Sequence, residues 1–87
     1  MSKINKWHQS DIKVENFDTD IVSHNIKTYR QKHGLTQQVL AFYTGLSIEV
    51  IRKYEQGRIK APTYFVLSKL GYYMQQPWHK ITTEKLF

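Results

Sequence analysis

The side chains that could take part in chemistry are mostly cationic, and they do not form a catalytic or metal-binding group. The chain has 13 lysines and arginines, seven acids, four histidines and no cysteine. The histidines, at positions 8, 24, 33 and 79, show no paired spacing of the kind that metal ligands adopt. No nucleophile motif, phosphate-binding glycine loop or local carboxylate pair is present. We therefore expect no catalytic residue, no metal and no cofactor, and the sequence does not predict an enzyme.

The cationic side chains are concentrated in the middle of the chain. Residues 21–71 carry eight lysines and arginines against two glutamates, whereas residues 1–20 carry three lysines against four acids. A basic segment of this kind suits the binding of a polyanion. The net charge of +6 is also compatible with a role in solubility alone, so charge by itself does not assign a partner.

The 87 residues correspond to one small domain. No apolar run approaches the roughly 18 residues of a membrane span, and the N-terminus lacks the apolar core of a signal peptide. The absence of cysteine excludes disulfides and is consistent with a reducing compartment. We expect a cytoplasmic protein without a membrane partner.

Two short helices joined by a tight turn must position the central cations. They are predicted within TQQVLAFYTGLSIEVIRKYEQG, from Thr36 to Gly57. Thr36 and Ser47 are good N-caps because each hydroxyl can accept from an unpaired backbone N–H. Gly45 lies where the chain reverses, and glycine tolerates the positive φ that such a turn often needs. Because helices of this length cannot bury their own apolar faces, other helices must cover them.

This stretch resembles the helix-turn-helix of the lambdoid phage repressor and Cro family, also called the xenobiotic-response-element family. The resemblance extends upstream to Arg30 and downstream to about Leu70. It implies an all-α fold, a four- to five-helix repressor-like helix-turn-helix domain, with short extended terminal arms as an option. The matching residues are Thr36, Gln37, Leu40, Ala41, Gly45, Leu46, Ser47, Ile51, Tyr54, Glu55 and Gly57.

The predicted organisation has three parts. Residues 18–76 form the helix-turn-helix domain, with its recognition helix at about 47–56. Residues 1–17 form an N-terminal arm, which is either disordered or a short strand paired with residues 80–86. The remaining residues, 77–87, form a C-terminal tail.

Single residues predict where the outer helices begin and end. Asp18 suits the start of the first helix, and Gly34 its end. Pro62 fits the first position of a fourth helix, and Pro77 interrupts any helix that runs past residue 76. Trp7 favours some order in the arm, or anchors the arm on a partner subunit.

The resemblance also implies how DNA would be read. In the family, the second helix of the motif lies in the major groove with its first residues facing the bases. Carried over by position, the base-contacting residues are Ile48, Glu49, Arg52 and Lys53. Ile48 would contact a thymine methyl, Glu49 a cytosine amino group, and Arg52 or Lys53 a guanine. The alternative is that Ile48 is partly packed and Glu49 is a solvated first-turn acid.

Phosphate contacts are implied on both sides of this helix. Gln37 lies at the start of the first helix of the motif, where backbone N–H groups also favour an anion. Such contacts set the position of a protein on the duplex without reading its sequence. The predicted set is Thr36, Gln37, Gln38, Arg58, Lys60 and Thr63.

Two further roles follow from the resemblance. Arg30 is expected to form an ion pair with Glu55, 25 residues later, and the alternative is that Arg30 contacts a phosphate. Small helix-turn-helix proteins usually bind as two-fold dimers. Since tyrosine, tryptophan and methionine are enriched at interfaces, the predicted dimer contacts are Leu70, Tyr72, Tyr73, Met74 and Trp78. The alternative is that the last four complete the core in place of a fifth helix, and we expect a mixture of the two.

These patterns predict a sequence-specific regulator of transcription that binds double-stranded DNA. We expect a homodimeric repressor that reads an inverted repeat, in a phage, a mobile element or a toxin–antitoxin pair. The alternative is an antitoxin-like interaction module, whose aromatic tail and arm bind a protein partner such as a toxin.

Overall fold

The computed structural model describes residues 12–87, and this part of the chain is all-α, which confirms the predicted fold class. The predicted arm residues 1–11, which include Trp7, lie outside the described part. Within residues 12–87, no helix combines the length and apolar character that a membrane crossing requires. The five helices are α1 (Thr19–Lys32), α2 (Gln37–Thr44), α3 (Ile48–Glu55), α4 (Tyr64–Met74) and α5 (Trp78–Thr83).

Polar side chains cap the first four helices. The N-caps are Asp18, Thr36, Ser47 and Thr63. Thr36 Oγ1 accepts a hydrogen bond from the N–H three residues later at 3.1 Å, and Ser47 Oγ does so at 3.2 Å. Because each cap is worth about 1 kcal/mol, the sequence itself marks where α2 and α3 begin.

The start of α4 differs from the prediction. Pro62 is not the first helical residue, because Thr63 is the N-cap and the helix begins at Tyr64. Pro62 is fully buried, and its carbonyl accepts a hydrogen bond from the N–H of Val14 at 2.9 Å. Pro62 therefore ends the loop after α3 and fixes the N-terminal segment against it.

A tight turn at Gly45 joins α2 to α3. Gly45 has a φ of 77°, a left-handed conformation that a residue with a Cβ adopts only under strain. The N–H groups of Gly45 and Leu46 donate to the carbonyl of Ala41 at 2.9 and 3.1 Å. Leu46 is buried directly after the turn. The turn thereby sets the angle between the two helices.

The core joins all five helices. α1 packs against α3 and α5, α4 packs against α2 and α5, and α2 packs against α3. Full burial of an aliphatic side chain contributes about 1.5–3 kcal/mol, so this core holds α3 firmly on the rest of the domain. The fully buried apolar residues are Val22, Ile26, Leu40, Ile51, Leu67, Leu70 and Ile81.

The C-terminal segment is attached to α1 through Asn25. This side chain is fully buried, and its amide nitrogen donates to the carbonyls of Ile81 at 2.9 Å and Glu84 at 2.7 Å. Its Oδ1 accepts from the N–H of Leu86 at 2.8 Å. Asn25 therefore satisfies backbone groups around the end of α5, a role that the sequence did not reveal.

The described part of the predicted arm, residues 12–17, does not pair as a strand with residues 80–86, and the rest of that arm lies outside the described residues. Lys13 forms an isolated antiparallel β-bridge with Thr63, and residues 80–83 belong to α5. Val14 is buried in the core beside this bridge. The segment is thus held on the loop between α3 and α4.

Candidate nucleic-acid interface

One side of α3 is exposed and carries the predicted reading side chains. Glu49, Arg52 and Lys53 are exposed, and Gln56 continues the same side one turn later. Residues three, four and seven apart share a face of a helix. The opposite face is buried in the core. The helix therefore presents a polar ridge to its surroundings, with two cations, Arg52 and Lys53, and one acid, Glu49.

Ile48 and Val50 lie at the edges of this ridge. Both are partly buried and pack against the core. Glu49 is solvent-exposed in the first turn, as the alternative interpretation of the sequence expected. Only the exposed part of Ile48 is thus available to a base, and the predicted thymine contact remains a proposal.

An exposed ion pair lies on the ridge itself. Arg52 Nη1 approaches Glu49 Oε2 at 3.3 Å, one helical turn away. Exposed pairs at this spacing contribute only a few tenths of a kcal/mol. The pair therefore opens at little cost, and Arg52 remains free to turn towards a ligand.

Arg30 and Glu55 form a bidentate ion pair beneath the ridge. Arg30 Nε donates to Glu55 Oε2 at 2.6 Å, and Nη2 donates to Oε1 at 2.9 Å. The Glu55 side chain is only 2% exposed and that of Arg30 only 16%. The hydrogen bond to Glu55 raises the pKa of the Arg30 guanidinium, which stays charged at neutral pH. The pair fixes the end of α3 to α1.

Gln37 belongs to the same network. Its Nε2 donates to Glu55 Oε1 at 3.1 Å, which links the first residue of α2 to the end of α3. The Ser23 hydroxyl donates to the Glu55 carbonyl oxygen, and Arg30 Nη1 donates to the Leu35 carbonyl at 2.9 Å. Glu55 thus links α1, α2 and α3. The sequence predicted its partner Arg30 but not its contact with Gln37.

The start of α2 borders the ridge on one side. Thr36 and Gln38 are exposed, and Gln37 is half-buried. Thr36 Oγ1 is occupied as a cap, and Gln37 has one further amide hydrogen and its oxygen available. A phosphate contact at this end would therefore use Gln38, Gln37 and the backbone N–H groups of the first turn.

The other border is a basic groove of about 480 Å³ between α3 and the loop before α4. Lys53, Arg58 and Lys60 line it and are exposed, together with the half-buried Thr63. The Thr63 N–H donates to the Tyr54 hydroxyl oxygen at 3.1 Å, which ties the loop to α3. Burial raises the pKa of Tyr54, so this phenol stays protonated at neutral pH. The predicted phosphate contacts on this side thus lie together.

The structure corrects part of the predicted dimer surface. Leu70 and Met74 are buried in the core of the single chain, so they have no surface to offer a partner. Tyr72 is 88% exposed, whereas Tyr73 and Trp78 are half-buried. Residue type alone does not distinguish the face of α4 that packs on α2 and α5, where Leu70 and Met74 lie, from its exposed face.

Two exposed aromatic residues of α2 were missed. Phe42 is 81% exposed and Tyr43 57%, and their ring centroids lie 5.7 Å apart. Tyr43 stacks on Tyr73 of α4 at 5.6 Å with an interplanar angle of 11°. We call Phe42, Tyr43, Tyr72 and Tyr73 the aromatic patch. The buried residues of α2 are Leu40, Ala41 and Thr44, and Phe42 and Tyr43 lie on the other side of the helix. Their position off the buried face is the sequence signal that could have identified them.

Residues 12–87 contain no group of three histidine, aspartate or glutamate side chains arranged to hold a metal ion. The charged surface described above consists of the exposed ridge of α3 and the cations beside it. Such a surface can donate hydrogen bonds to bases and neutralise phosphates.

Comparison with known proteins gives a family and a fold. Residues 26–71 match the sequence model of the helix-turn-helix family. SinR, a master regulator for biofilm formation solved in complex with DNA, is 22% identical with a TM-score of 0.63, covering 69% of this chain and 95% of its own. A hypothetical transcription factor, NHTF from Neisseria, is 17% identical with a TM-score of 0.62, covering 84% and 87%. No curated protein sequence matches the chain.

Proposed function

The chain belongs to the helix-turn-helix family, and from this premise we propose that it is a DNA-binding regulator of transcription. The observation that carries the proposal is the cationic ridge of α3, with Lys53 and Arg52 exposed beside Arg58 and Lys60. The likeness in fold to SinR, which was solved in complex with DNA, supports it.

In the proposed complex, α3 lies in the major groove. Arg52 and Lys53 donate to guanine, Glu49 accepts from a cytosine amino group, and the exposed part of Ile48 contacts a thymine methyl. The rigid attachment of α3 through Glu55 supports this reading, since a fixed helix holds its side chains in register with the base edges.

Backbone contacts flank the reading helix. Thr36, Gln37 and Gln38 approach a phosphate at the start of α2, while Arg58, Lys60 and Thr63 hold the backbone along the basic groove. Since these two sets lie on opposite borders of the α3 ridge, a duplex seated on the ridge would have phosphates near both.

We further infer a homodimer that represses by occupying a promoter. The exposed rings of the aromatic patch, together with the half-buried Trp78, supply aromatic surface of the kind that is enriched at interfaces. Two copies related by a two-fold axis would present their α3 helices to major grooves about 34 Å apart, one turn of duplex. A phage, a mobile element or a toxin–antitoxin pair is a suitable setting for a repressor of this size.

The aromatic patch also favours a second candidate function. Three of its four rings, those of Phe42, Tyr43 and Tyr72, are exposed and can anchor another protein. In that case the chain would act as an antitoxin-like interaction module, with a protein partner covering the patch instead of a second copy.

Selection of bound duplexes from a random pool tests the proposal. We expect an enriched inverted repeat whose half-sites are separated by about 10 base pairs, since two α3 helices must read the same face of the duplex. Enrichment of a single half-site would contradict the homodimer. A pool without enrichment would contradict sequence-specific binding and favour the interaction module.

A further inference from the structure

The segment before α1 brings an additional cation to the basic groove. Lys13 lies opposite Thr63 in the antiparallel bridge. The N–H of Val14 donates to the Pro62 carbonyl at 2.9 Å, and the N–H of Tyr64 donates to the Ile12 carbonyl at 2.8 Å. These two backbone hydrogen bonds lie on either side of the pair, so Lys13 and Thr63 form a non-hydrogen-bonded pair.

This bonding pattern determines where Lys13 points. In an antiparallel pair, residues flanked by hydrogen bonds in this way form the close pair, with Cα atoms about 4.5 Å apart and side chains on one face. Val14, the next residue, is buried in the core, so alternation along the segment directs Lys13 outward. Lys13 is accordingly exposed and lines the same groove as Thr63.

The groove therefore gathers four cations from three parts of the chain. Lys13 comes from the N-terminal segment, Lys53 from α3, and Arg58 and Lys60 from the loop after α3. Among residues 12–87, no acidic side chain lines the groove. Within residues 12–87 none of the four forms an ion pair. Like charges without a counter-ion repel one another, so an anion bound in the groove would relieve this repulsion.

We propose that Lys13 binds a backbone phosphate of duplex DNA beside Thr63, so that the N-terminal segment forms part of the DNA-binding surface. This inference rests on the proposed function, because the anion is identified as DNA through the adjacent ridge of α3. Lys13 adds affinity without reading sequence, since a lysine on a phosphate carries no base information.

Salt-dependent binding of a mixed-sequence duplex tests the role of Lys13. Each phosphate contact contributes about 0.9 to the slope of log K against log salt. We expect Lys13→Ala to make the slope less steep by about 0.9 and to weaken binding roughly fivefold at 0.1 M salt. Lys13→Arg should retain the wild-type slope. Fluorescence anisotropy between about 0.05 and 0.3 M salt measures both.

Lys85→Ala is the matched control, because it removes the same charge from an exposed position after α5. If Lys13→Ala behaves like Lys85→Ala while Arg58→Ala reduces the slope, the role of Lys13 is overturned and the proposed function stands. If the wild-type protein shows no salt-dependent binding, the proposed function and this inference fail together.

Discussion

Glu55 connects the structure of the domain to the position of its reading helix. Its carboxylate accepts from Arg30 and Gln37, and its backbone carbonyl accepts from Ser23. The carboxylate is nearly inaccessible to water, so it depends on these donors for its stabilisation. This network holds the end of α3 against α1 and α2.

Arg30→Met should therefore destabilise the domain strongly. The change leaves Glu55 buried without its charged partner, which typically costs about 3–5 kcal/mol. Urea denaturation monitored by circular dichroism measures the free energy of unfolding. The double variant Arg30→Met, Glu55→Met should recover part of the loss, because a well-packed apolar pair can replace a buried ion pair. A cost below about 1 kcal/mol for the single variant would contradict this role of the pair.

At the scale of single residues, the sequence predicted the ion-pair partner of Glu55 because the resembling family has an arginine at the position of Arg30. The spacing of Arg30 and Glu55 matched the resembling family, and the structure contains the pair. The contacts of Asn25 with the segment after α5 could not be predicted, because they join residues 56 to 61 positions apart without a local signal. The predicted interface residues of α4 could be divided into the buried Leu70 and Met74 and the more accessible Tyr72 and Tyr73 only once the packing of α4 on α2 and α5 was known.

At the scale of elements, local chemistry predicted α2 and α3 better than α5. α2 and α3 carry side-chain caps, and Gly45 marks the turn between them. α5 has six residues and no side-chain cap, and its N-cap is Pro77, which the sequence suggested only as a break. A helix this short depends on packing against its neighbours, which periodicity does not reveal. The bridge of Lys13 with Thr63 was also missed, because it pairs residues that are far apart in the chain and have no local signal.

The backbone at the end of α4 is strained at Gln75, and a substitution with glycine should relieve this strain. Gln75 has a φ of 58° and is the one non-glycine residue with a positive φ in the described part of the chain. The left-handed conformation costs about 1–2 kcal/mol for a residue with a Cβ. Glycine avoids that cost but adds about 0.5–1 kcal/mol of entropy in the unfolded chain.

Gln75→Gly should thus raise the free energy of unfolding by about 0.5–1 kcal/mol. Gln76→Gly is the control, since residue 76 has no positive φ. This substitution should instead lower the free energy of unfolding by about 0.5–1 kcal/mol. Thermal and urea unfolding of the two variants measure this difference. Equal effects of the two substitutions would contradict the account of how α4 ends.

At the scale of the whole molecule, two surfaces of different chemistry are built from different residues. The ridge of α3 and the basic groove carry Arg52, Lys53, Arg58 and Lys60, whereas the aromatic patch lies along α2 and α4. Two such surfaces would allow the protein to bind DNA through one and a second copy or another protein through the other. Such a division suits a regulator that must do both at once.

The central claim is that the exposed ridge of α3 contacts DNA, and charge reversal at Lys53 tests it most directly. Lys53 is exposed on α3, and Lys27 is exposed on α1, so Lys27→Glu changes the net charge equally on another helix. At about 0.15 M salt, charges more than about 8 Å from the duplex are largely screened.

The measurement is duplex affinity by fluorescence anisotropy, with far-ultraviolet circular dichroism to show that both variants are folded. We expect Lys53→Glu to weaken binding at least about tenfold and to reduce the salt slope by about 0.9 or more, because it removes a contact and adds repulsion. Lys27→Glu should stay close to wild type. Equal affinities of the two variants would contradict the claim that α3 is the DNA-reading helix.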